Sequence, residues 1–306
     1  MTTQPWHGVV VASALPFNAD MSVDYQAFAD HVRWLAQNGC HGVTPNGSLG
    51  EYQTLNPQER AKVVEVAVDA APDGFSVVPG TGAYGSGEAV AWARQAKEAG
   101  AQAVLSLAPN AYRADDDIVV AHYEEVASAG LPVVAYNNPL DTKVDLSPEL
   151  LARLHAAGLI VAVKEFSGDV RRIYQIQELA PELEVLVGTD DCLLELAIAG
   201  ATGWIAGYPN ALPAASVQCG SSPRPVIWTT PFPCTATCIR CCVGTPSPSS
   251  SKRSSCRWTW RDVRAVRAVR RVCRCPRTWR IRCAKTPKRL SPTAIANSHR
   301  IDNQGR

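Results

Sequence analysis

The chain has 306 residues, 46% hydrophobic and 19% charged, with a formal net charge of +2 at pH 7. This composition excludes collagen, coiled coil and wholesale disorder, and fits one large folded domain or two ordinary ones. The longest apolar runs are under a dozen residues, against the roughly 20 that a membrane-spanning helix needs, and the amino terminus has no basic segment of a signal peptide. We therefore expect a cytoplasmic protein with no membrane partner.

Short β-rich runs alternate with longer segments of helical period through the first two thirds of the chain, as expected of βα units and a parallel sheet. The eight predicted strands are VVVASALPF from Val9, HGVTPNG from His41, FSVVPGTG from Phe75, AQAVLSLAP from Ala101, LPVVAYNNP from Leu131, LIVAVKEF from Leu159, LEVLVGTDD from Leu183 and GWIAGYPN from Gly203. Seven helices are predicted between them. Eight βα units favour a closed (β/α)8 barrel over a doubly wound sheet, which usually has about five or six strands.

The ends of the predicted helices carry recognisable signals. Asn56-Pro57-Gln58-Glu59 offers an N-cap, a proline at the first helical position and a glutamate that completes a capping box. Ser147-Pro148 opens another helix in the same way. A residue of positive φ is expected to close five helices, at Gly39, Gly100, Gly130, Gly158 and Gly200.

Lys164 closes the sixth predicted strand, directly after a run of apolar residues. The active site of a βα barrel gathers at the carboxyl ends of its strands. An ammonium that points inward there is desolvated, which lowers its pKa from about 10.4 toward neutrality. The neutral amine can attack a carbonyl and form a Schiff base. The alternative is a structural lysine paired at the rim with Glu165 or Asp169.

Other polar residues close neighbouring strands. Tyr136 ends the fifth strand, where a phenol can shuttle a proton to a carbinolamine, although a buried tyrosine without a catalytic role is the alternative. The glycine-flanked turn Gly47–Glu51 offers backbone amides and the Ser48 hydroxyl to a carboxylate. Asp190 and Asp191 end the seventh strand, but none of the six histidines ends a strand. We therefore expect no metal.

Together these motifs resemble one family, that of dihydrodipicolinate synthase and N-acetylneuraminate lyase. The motifs, which occur in order from Gly8 to about Val217, are GSLGE at 47–51, LNPQER at 55–60, YNNP at 136–139, VKEFSGD at 163–169, GTDD at 188–191 and GWIAG at 203–207. The resemblance implies a barrel lysine that forms a Schiff base with pyruvate or a related 2-oxo acid, a role that falls on Lys164. It also implies no cofactor.

The remaining site residues are carried over from the same resemblance. The tyrosine of the fifth strand falls on Tyr136, and the carboxylate-binding turn falls on Gly47 and Ser48, with Leu49 beside them. Ile205 matches the position of the eighth strand whose backbone lines the pocket.

Three departures from dihydrodipicolinate synthases concern the substrate. The turn has Ser48-Leu49 where those enzymes have a threonine pair, so the second hydroxyl of the proton relay is missing. Their Pro-Tyr-Tyr after the fourth strand corresponds to Pro109-Asn110-Ala111, for which Tyr112 is a displaced substitute. The arginine that receives the semialdehyde carboxylate aligns with Asp141, which cannot replace it.

The GSLGE, YNNP and DVRRI segments are similar instead to family members that deaminate 1-pyrroline-4-hydroxy-2-carboxylate in hydroxyproline breakdown. Two substrates follow from the resemblance, a 2-oxo acid and a cyclic imine acid. The same lysine would serve both reactions.

Composition changes abruptly near Val217. Residues 1–217 hold 11 Lys and Arg against 26 Asp and Glu, whereas residues 218–306 hold 19 against 2. The second segment also holds nine of the 11 cysteines and one leucine, Leu290. No ordinary globular segment has this composition. We therefore expect two segments, a catalytic barrel at 1–217 and an aberrant tail at 218–306.

The tail has several interpretations. A disordered basic tail and a cysteine-rich module are the ordinary ones, whereas a nucleic-acid site lacks interleaved aromatic residues and a zinc site lacks paired CxxC spacing. We favour out-of-frame translation of GC-rich DNA, in which leucine codons shifted by one base become cysteine codons. When suitable codons are chosen to back-translate residues 248–260, the same DNA read from its third base encodes EFVQAIKLSMDL, which has the pattern of an amphipathic helix.

This interpretation affects function as well as folding. The family carries a helical domain after the barrel, and here that domain would be scrambled. The tail therefore weighs against the family's homo-oligomer, a tetramer or dimer, and leaves a nonfunctional frameshift product as an alternative to a lyase or deaminase. We expect no nucleic-acid partner.

Overall fold

The structure is a computed structural model that describes residues 4–220. Within that range the strands are β1 (Gly8–Ala12), β2 (Gly42–Thr44), β3 (Ser76–Val77), β4 (Val104–Leu107), β5 (Val133–Asn137), β6 (Ala162–Glu165), β7 (Glu184–Val187) and β8 (Gly203–Ala206). The helices are α1 (Tyr25–Gln37), α2 (Pro57–Ala70), α3 (Ser86–Glu98), α4 (Asp116–Ala127), α5 (Pro139–Thr142), α6 (Pro148–Ala156), α7 (Arg172–Leu179), α8 (Leu193–Ile198) and α9 (Pro213–Gly220). All eight predicted strands are confirmed. The connection from β5 to β6 contains the additional short helix α5.

The eight strands form one parallel sheet in the order β3-β2-β1-β8-β7-β6-β5-β4. Its two outer strands also meet, because Gly80 bridges Leu105 in parallel just beyond β3. There the Thr81 N–H donates to the carbonyl of Leu105 (3.0 Å), and the Leu105 N–H donates to the carbonyl of Pro79 (2.9 Å). These bonds close the sheet, and the predicted (β/α)8 barrel is confirmed.

Successive side chains of each strand point to opposite faces of the sheet, so the hydrophobic core forms two clusters. The interior cluster fills the barrel and includes Val10, Leu105, Tyr136 and Ile205. The larger cluster lies between the sheet and the helices. In β5 and β6, Ala135 and Val163 belong to the outer cluster, so Tyr136 and the residue beside it, Lys164, face the interior.

The predicted helix boundaries are present. Asn56 Oδ1 accepts from the Glu59 N–H (2.9 Å) and Glu59 Oε2 accepts from the Asn56 N–H (3.0 Å), which completes the capping box of α2. Ser147 Oγ accepts from the Leu150 N–H at the start of α6 (3.2 Å). The five glycines predicted to close helices all have positive φ, from 71° to 103°.

The last described helix, α9, follows the eighth strand and extends from Pro213 to Gly220. The predicted tail lies outside the described residues beyond that point, so its interpretation stays a prediction. In the described part of the chain, no helix is both long and apolar enough to span a bilayer.

Candidate active site

Lys164 and Tyr136 are register partners on neighbouring strands near the carboxyl end of the barrel. Lys164 is 5% exposed and Tyr136 is 9% exposed. The Lys164 Nζ lies 4.1 Å from the centroid of the Tyr136 ring and 5.8 Å from that of Phe166. Two aromatic rings thus enclose the amine and hold it against the phenol.

Burial lowers the pKa of the Lys164 amine to about 8, and the Asp190 carboxylate opposes that shift. A group with this pKa is neutral in about a tenth of molecules at pH 7, against less than a thousandth for an ordinary lysine. Among residues 4–220, Lys164 makes no ion pair. The amine therefore has nucleophilic character at neutral pH.

The alternative of a rim ion pair for Lys164 is not found. Glu165 is buried on the outer side of β6 and accepts hydrogen bonds from Asn137 and Ser167. Asp169 pairs with Arg171 (2.7 Å), which lowers the pKa of that carboxyl to about 2. Both carboxylates therefore have other partners. Glu165 faces away from Lys164 because consecutive residues of a strand face opposite sides of the sheet.

Tyr136 is fixed through its hydroxyl. Asn138 Nδ2 donates to the Tyr136 Oη (3.2 Å) and also to Asp141 Oδ2 (2.7 Å). Burial raises the pKa of Tyr136, and the nearby Asp141 adds to that shift. The phenol is therefore protonated at neutral pH and can donate a proton to a bound oxygen. Sequence reasoning did not single out Asn138, although it lies inside the YNNP motif.

The turn after β2 forms a short 3-10 helix, Ser48–Gly50, that begins after Gly47. In the described part of the chain, the backbone N–H groups of Ser48 and Leu49 donate to no acceptor. Unpaired amides at the start of a helical turn suit a carboxylate. A Cβ built on Gly207 would lie 2.6 Å from Leu49 Cδ1, so this turn packs directly against the residue that follows β8.

Ile205 and Tyr112 differ in their placement. Ile205 is completely buried in the interior cluster, on the strand that leads to Gly207. Tyr112 is 53% exposed in the loop after β4. A different tyrosine, Tyr52, is buried against the loop after β4, and its Oη accepts from Asn110 Nδ2 (3.4 Å). In the sequence, the only feature that could have singled out Tyr52 is its position directly after the GSLGE motif.

Arg60 holds Tyr52 in this position. Its guanidinium lies 4.9 Å from the Tyr52 ring centroid and 4.3 Å from that of Trp92, and it donates to the carbonyl of Gly82 (2.8 Å). Burial lowers the pKa of Arg60 to about 10, so it remains a cation at neutral pH. This cation ties α2 to the loop after β3.

Asp190 belongs to the surroundings of Lys164. Its carboxylate accepts from the Trp204 indole N–H (3.1 Å) and from the Tyr208 N–H (3.3 Å). Burial raises the pKa of Asp190, and Lys164 opposes that shift. Within residues 4–220, no group of three or more metal-ligating side chains is placed to hold an ion.

Comparisons with known proteins agree on one family. The model of the dihydrodipicolinate synthetase family matches residues 5–221. The 4-hydroxy-tetrahydrodipicolinate synthase of Methanothrix thermoacetophila is 38% identical over 216 residues, which cover 70% of this chain and 72% of the relative.

Solved structures give the same result. The crystal structure of dihydrodipicolinate synthase from Aquifex aeolicus has a TM-score of 0.67 at 31% identity, covering 70% of this chain and 73% of its own. The chloride-inhibited dihydrodipicolinate synthase of Acinetobacter baumannii, complexed with pyruvate, has a TM-score of 0.67 at 32% identity, covering 69% and 74%.

Proposed function

The chain belongs to the dihydrodipicolinate synthetase family, an enzyme family of lyases, and we propose that its Lys164 forms a Schiff base with pyruvate or a related 2-oxo acid. The observation that carries the proposal is the buried amine of Lys164, whose pKa is lowered to about 8 beside the Tyr136 phenol. The pyruvate bound to the Acinetobacter baumannii enzyme supports the substrate class.

The proposed reaction begins when the neutral amine of Lys164 attacks C2 of the 2-oxo acid. The nitrogen, which becomes positively charged on attack, loses a proton and the carbonyl oxygen gains one, which gives a neutral carbinolamine with a hydroxyl at C2. Tyr136 then donates a proton to that hydroxyl, which leaves as water while the nitrogen lone pair forms the imine. The amides of Ser48 and Leu49 hold the substrate carboxylate throughout.

Proton exchange tests this proposal without a second substrate. An imine at C2 acidifies the protons at C3, so the methyl protons of pyruvate exchange with solvent through an enamine. We expect ¹H NMR in D2O to record loss of the methyl signal with the unsubstituted chain, and no loss above background with Lys164→Ala. Exchange that is equally fast in Lys164→Ala would overturn the role of Lys164.

The surroundings of Asp141 favour an alternative substrate, a cyclic imine acid. Asp141 accepts from Asn138 close to the Tyr136 hydroxyl, where its negative charge disfavours the carboxylate of aspartate semialdehyde. Losing an arginine at such a position costs on the order of 1.5–3 kcal/mol, roughly tenfold to more than a hundredfold in rate. We propose deamination of 1-pyrroline-4-hydroxy-2-carboxylate as the alternative reaction.

Side-by-side assays separate the two reactions. We expect deamination of the pyrroline to exceed condensation of pyruvate with aspartate semialdehyde in kcat/KM. Faster condensation would show that Asp141 does not exclude the semialdehyde.

A further inference from the structure

One residue beyond the pair of Tyr136 and Lys164, β5 and β6 carry a second polar pair that faces the opposite way. Asn137 and Glu165 are register partners, and they are 0% and 2% exposed. Alternation places both on the outer side of the barrel, away from the substrate. A buried carboxylate there requires specific partners, because an unpaired one is strongly penalised.

The partners of Glu165 are all hydrogen-bond donors. Its Oε2 accepts from Asn137 Nδ2 (3.0 Å), and its Oε1 accepts from the backbone N–H of Ser167 (2.6 Å). A glutamine in the same place would point its own NH2 group at one of these donors. The position therefore selects a carboxylate, which only accepts.

Asn137 extends the network into the next loop and helix. Its Oδ1 accepts from the Leu146 N–H (3.0 Å), and its Nδ2 also donates to Asp145 Oδ1 (3.3 Å). Arg172, at the start of α7, donates to Asp145 and to the carbonyl of Leu146 (3.1 Å). The network thus joins the ends of β5 and β6 to the elements that follow each of them.

We propose that Glu165 and Asn137 are positioning residues that hold Lys164 and Tyr136 side by side. Rotating or sliding the end of either strand would break the bonds of the outer pair and separate the inner pair, because each outer residue adjoins an inner one along the backbone. This inference rests on the proposed function, since it concerns the geometry in which Lys164 attacks a carbonyl.

The first test is Glu165→Gln in the full chain. Protein is mixed with saturating pyruvate, the imine is trapped with borohydride at timed intervals, and the adduct is followed by intact mass. Misplacing reacting groups by about 1 Å costs on the order of a hundredfold in rate, so we expect a loss of roughly ten- to a hundredfold per folded molecule. Folded protein is quantified by near-UV circular dichroism.

A triple variant tests the mechanism of the loss. Combining Glu165→Gln with Asn137→Asp reverses the donor and acceptor of the outer pair, and Asp145→Asn supplies a donor to the new carboxylate at position 137, which would otherwise face the carboxylate of Asp145. We expect at least part of the lost rate to return. A purely structural weakening would predict instead that three substitutions are worse than one.

Glu184→Gln is the matched control. Glu184 lies at the amino end of β7 and also accepts from two donors, Trp6 Nε1 and His7 Nε2. The change is chemically identical, but it lies at the opposite end of the barrel from Lys164. We expect the trapping rate per folded molecule to be unchanged. If Glu165→Gln does not fold, Asn137→Ala removes the other half of the pair and is expected to show a loss of the same order.

The outcomes separate the two proposals. No adduct in the unsubstituted chain would overturn the Schiff-base function itself. An adduct in the unsubstituted chain that forms equally fast in Glu165→Gln, or no recovery in the triple variant, would overturn the positioning role alone.

Discussion

Lys164 and Asp190 are ionisable residues whose burial lowers the stability of the folded chain. Burial penalises the ammonium of Lys164 and the carboxylate of Asp190, and each group partly offsets the shift of the other. A lysine chosen only for stability would pair closely with an acid at the surface. The combination found here is typical of functional sites, where perturbed pKa values cluster.

The Asp190 carboxylate raises the pKa of Lys164, so removing its charge should lower that pKa further. The rate of imine trapping should rise with pH to a midpoint of about 8 in the unsubstituted chain, because attack needs the neutral amine. In Asp190→Asn we expect this midpoint at lower pH. The rate is measured from pH 6 to pH 10 at saturating pyruvate.

The neighbouring exposed residue Asp191 supplies the control for this experiment. Asp191→Asn makes the same change one position along the chain and should leave the midpoint within a few tenths of a unit. A midpoint that moves upward in Asp190→Asn would contradict the assigned sign.

His122 connects three elements behind the site. It lies on α4, its Nε2–H donates to the carbonyl of Leu107 at the end of β4 (3.0 Å), and its Nδ1 accepts from Ser86 at the start of α3 (3.0 Å). Burial lowers the pKa of His122 to about 4, so the imidazole is neutral at pH 7. Leu107 is the register partner of Tyr136, so this contact supports the wall of the site.

The same contact makes stability depend on pH. Unfolded chains bind a proton at His122 below about pH 6.5, whereas the folded chain binds it only below about 4. The free energy of unfolding should therefore fall as pH decreases from 6.5 to 4, by up to about 1.4 kcal/mol per pH unit from this residue. Urea unfolding of His122→Gln should show a flatter dependence over that window, and an identical slope would contradict this account.

The strands and helix boundaries were predictable because each depends on local chemistry. The capping box of Asn56 and Glu59, and the glycines of positive φ, act within a few residues. The short helix α5 was missed because it begins at the last residue of the YNNP motif and its four residues are too few to show a helical period. The contact between Glu165 and Asn137 was also missed, since it joins residues 28 positions apart.

At the scale of the whole molecule, eight βα units predicted a barrel, and the closure at Gly80 and Leu105 completes it. That Lys164 and Tyr136 lie side by side was predictable, because both were expected near the ends of adjacent strands. Burial of Tyr52 rather than Tyr112 was not predictable, because it depends on Arg60 packing between two rings from different elements. Such contacts are set by tertiary packing and leave no period in the sequence.

The family match ends at residue 221, close to the change in charge near Val217. We predict a single-base insertion or deletion near codon 217, after which the reading frame differs from that of the family. Resequencing the source gene checks this directly. A natural gene that encodes this tail in frame, with relatives that share it, would refute the interpretation.

The central claim is that Lys164 is the lysine that bonds to substrate. The other lysines of residues 4–220 each donate to a protein acceptor: Lys62 to Glu65, Lys97 to the carbonyl of Ala129 and Lys143 to the carbonyl of Leu140. Peptide mapping after treatment with pyruvate and borohydride tests the claim most directly. We predict a reduced adduct on the peptide that contains Lys164 and none in Lys164→Ala. An adduct on another lysine, or one undiminished in Lys164→Ala, would contradict it.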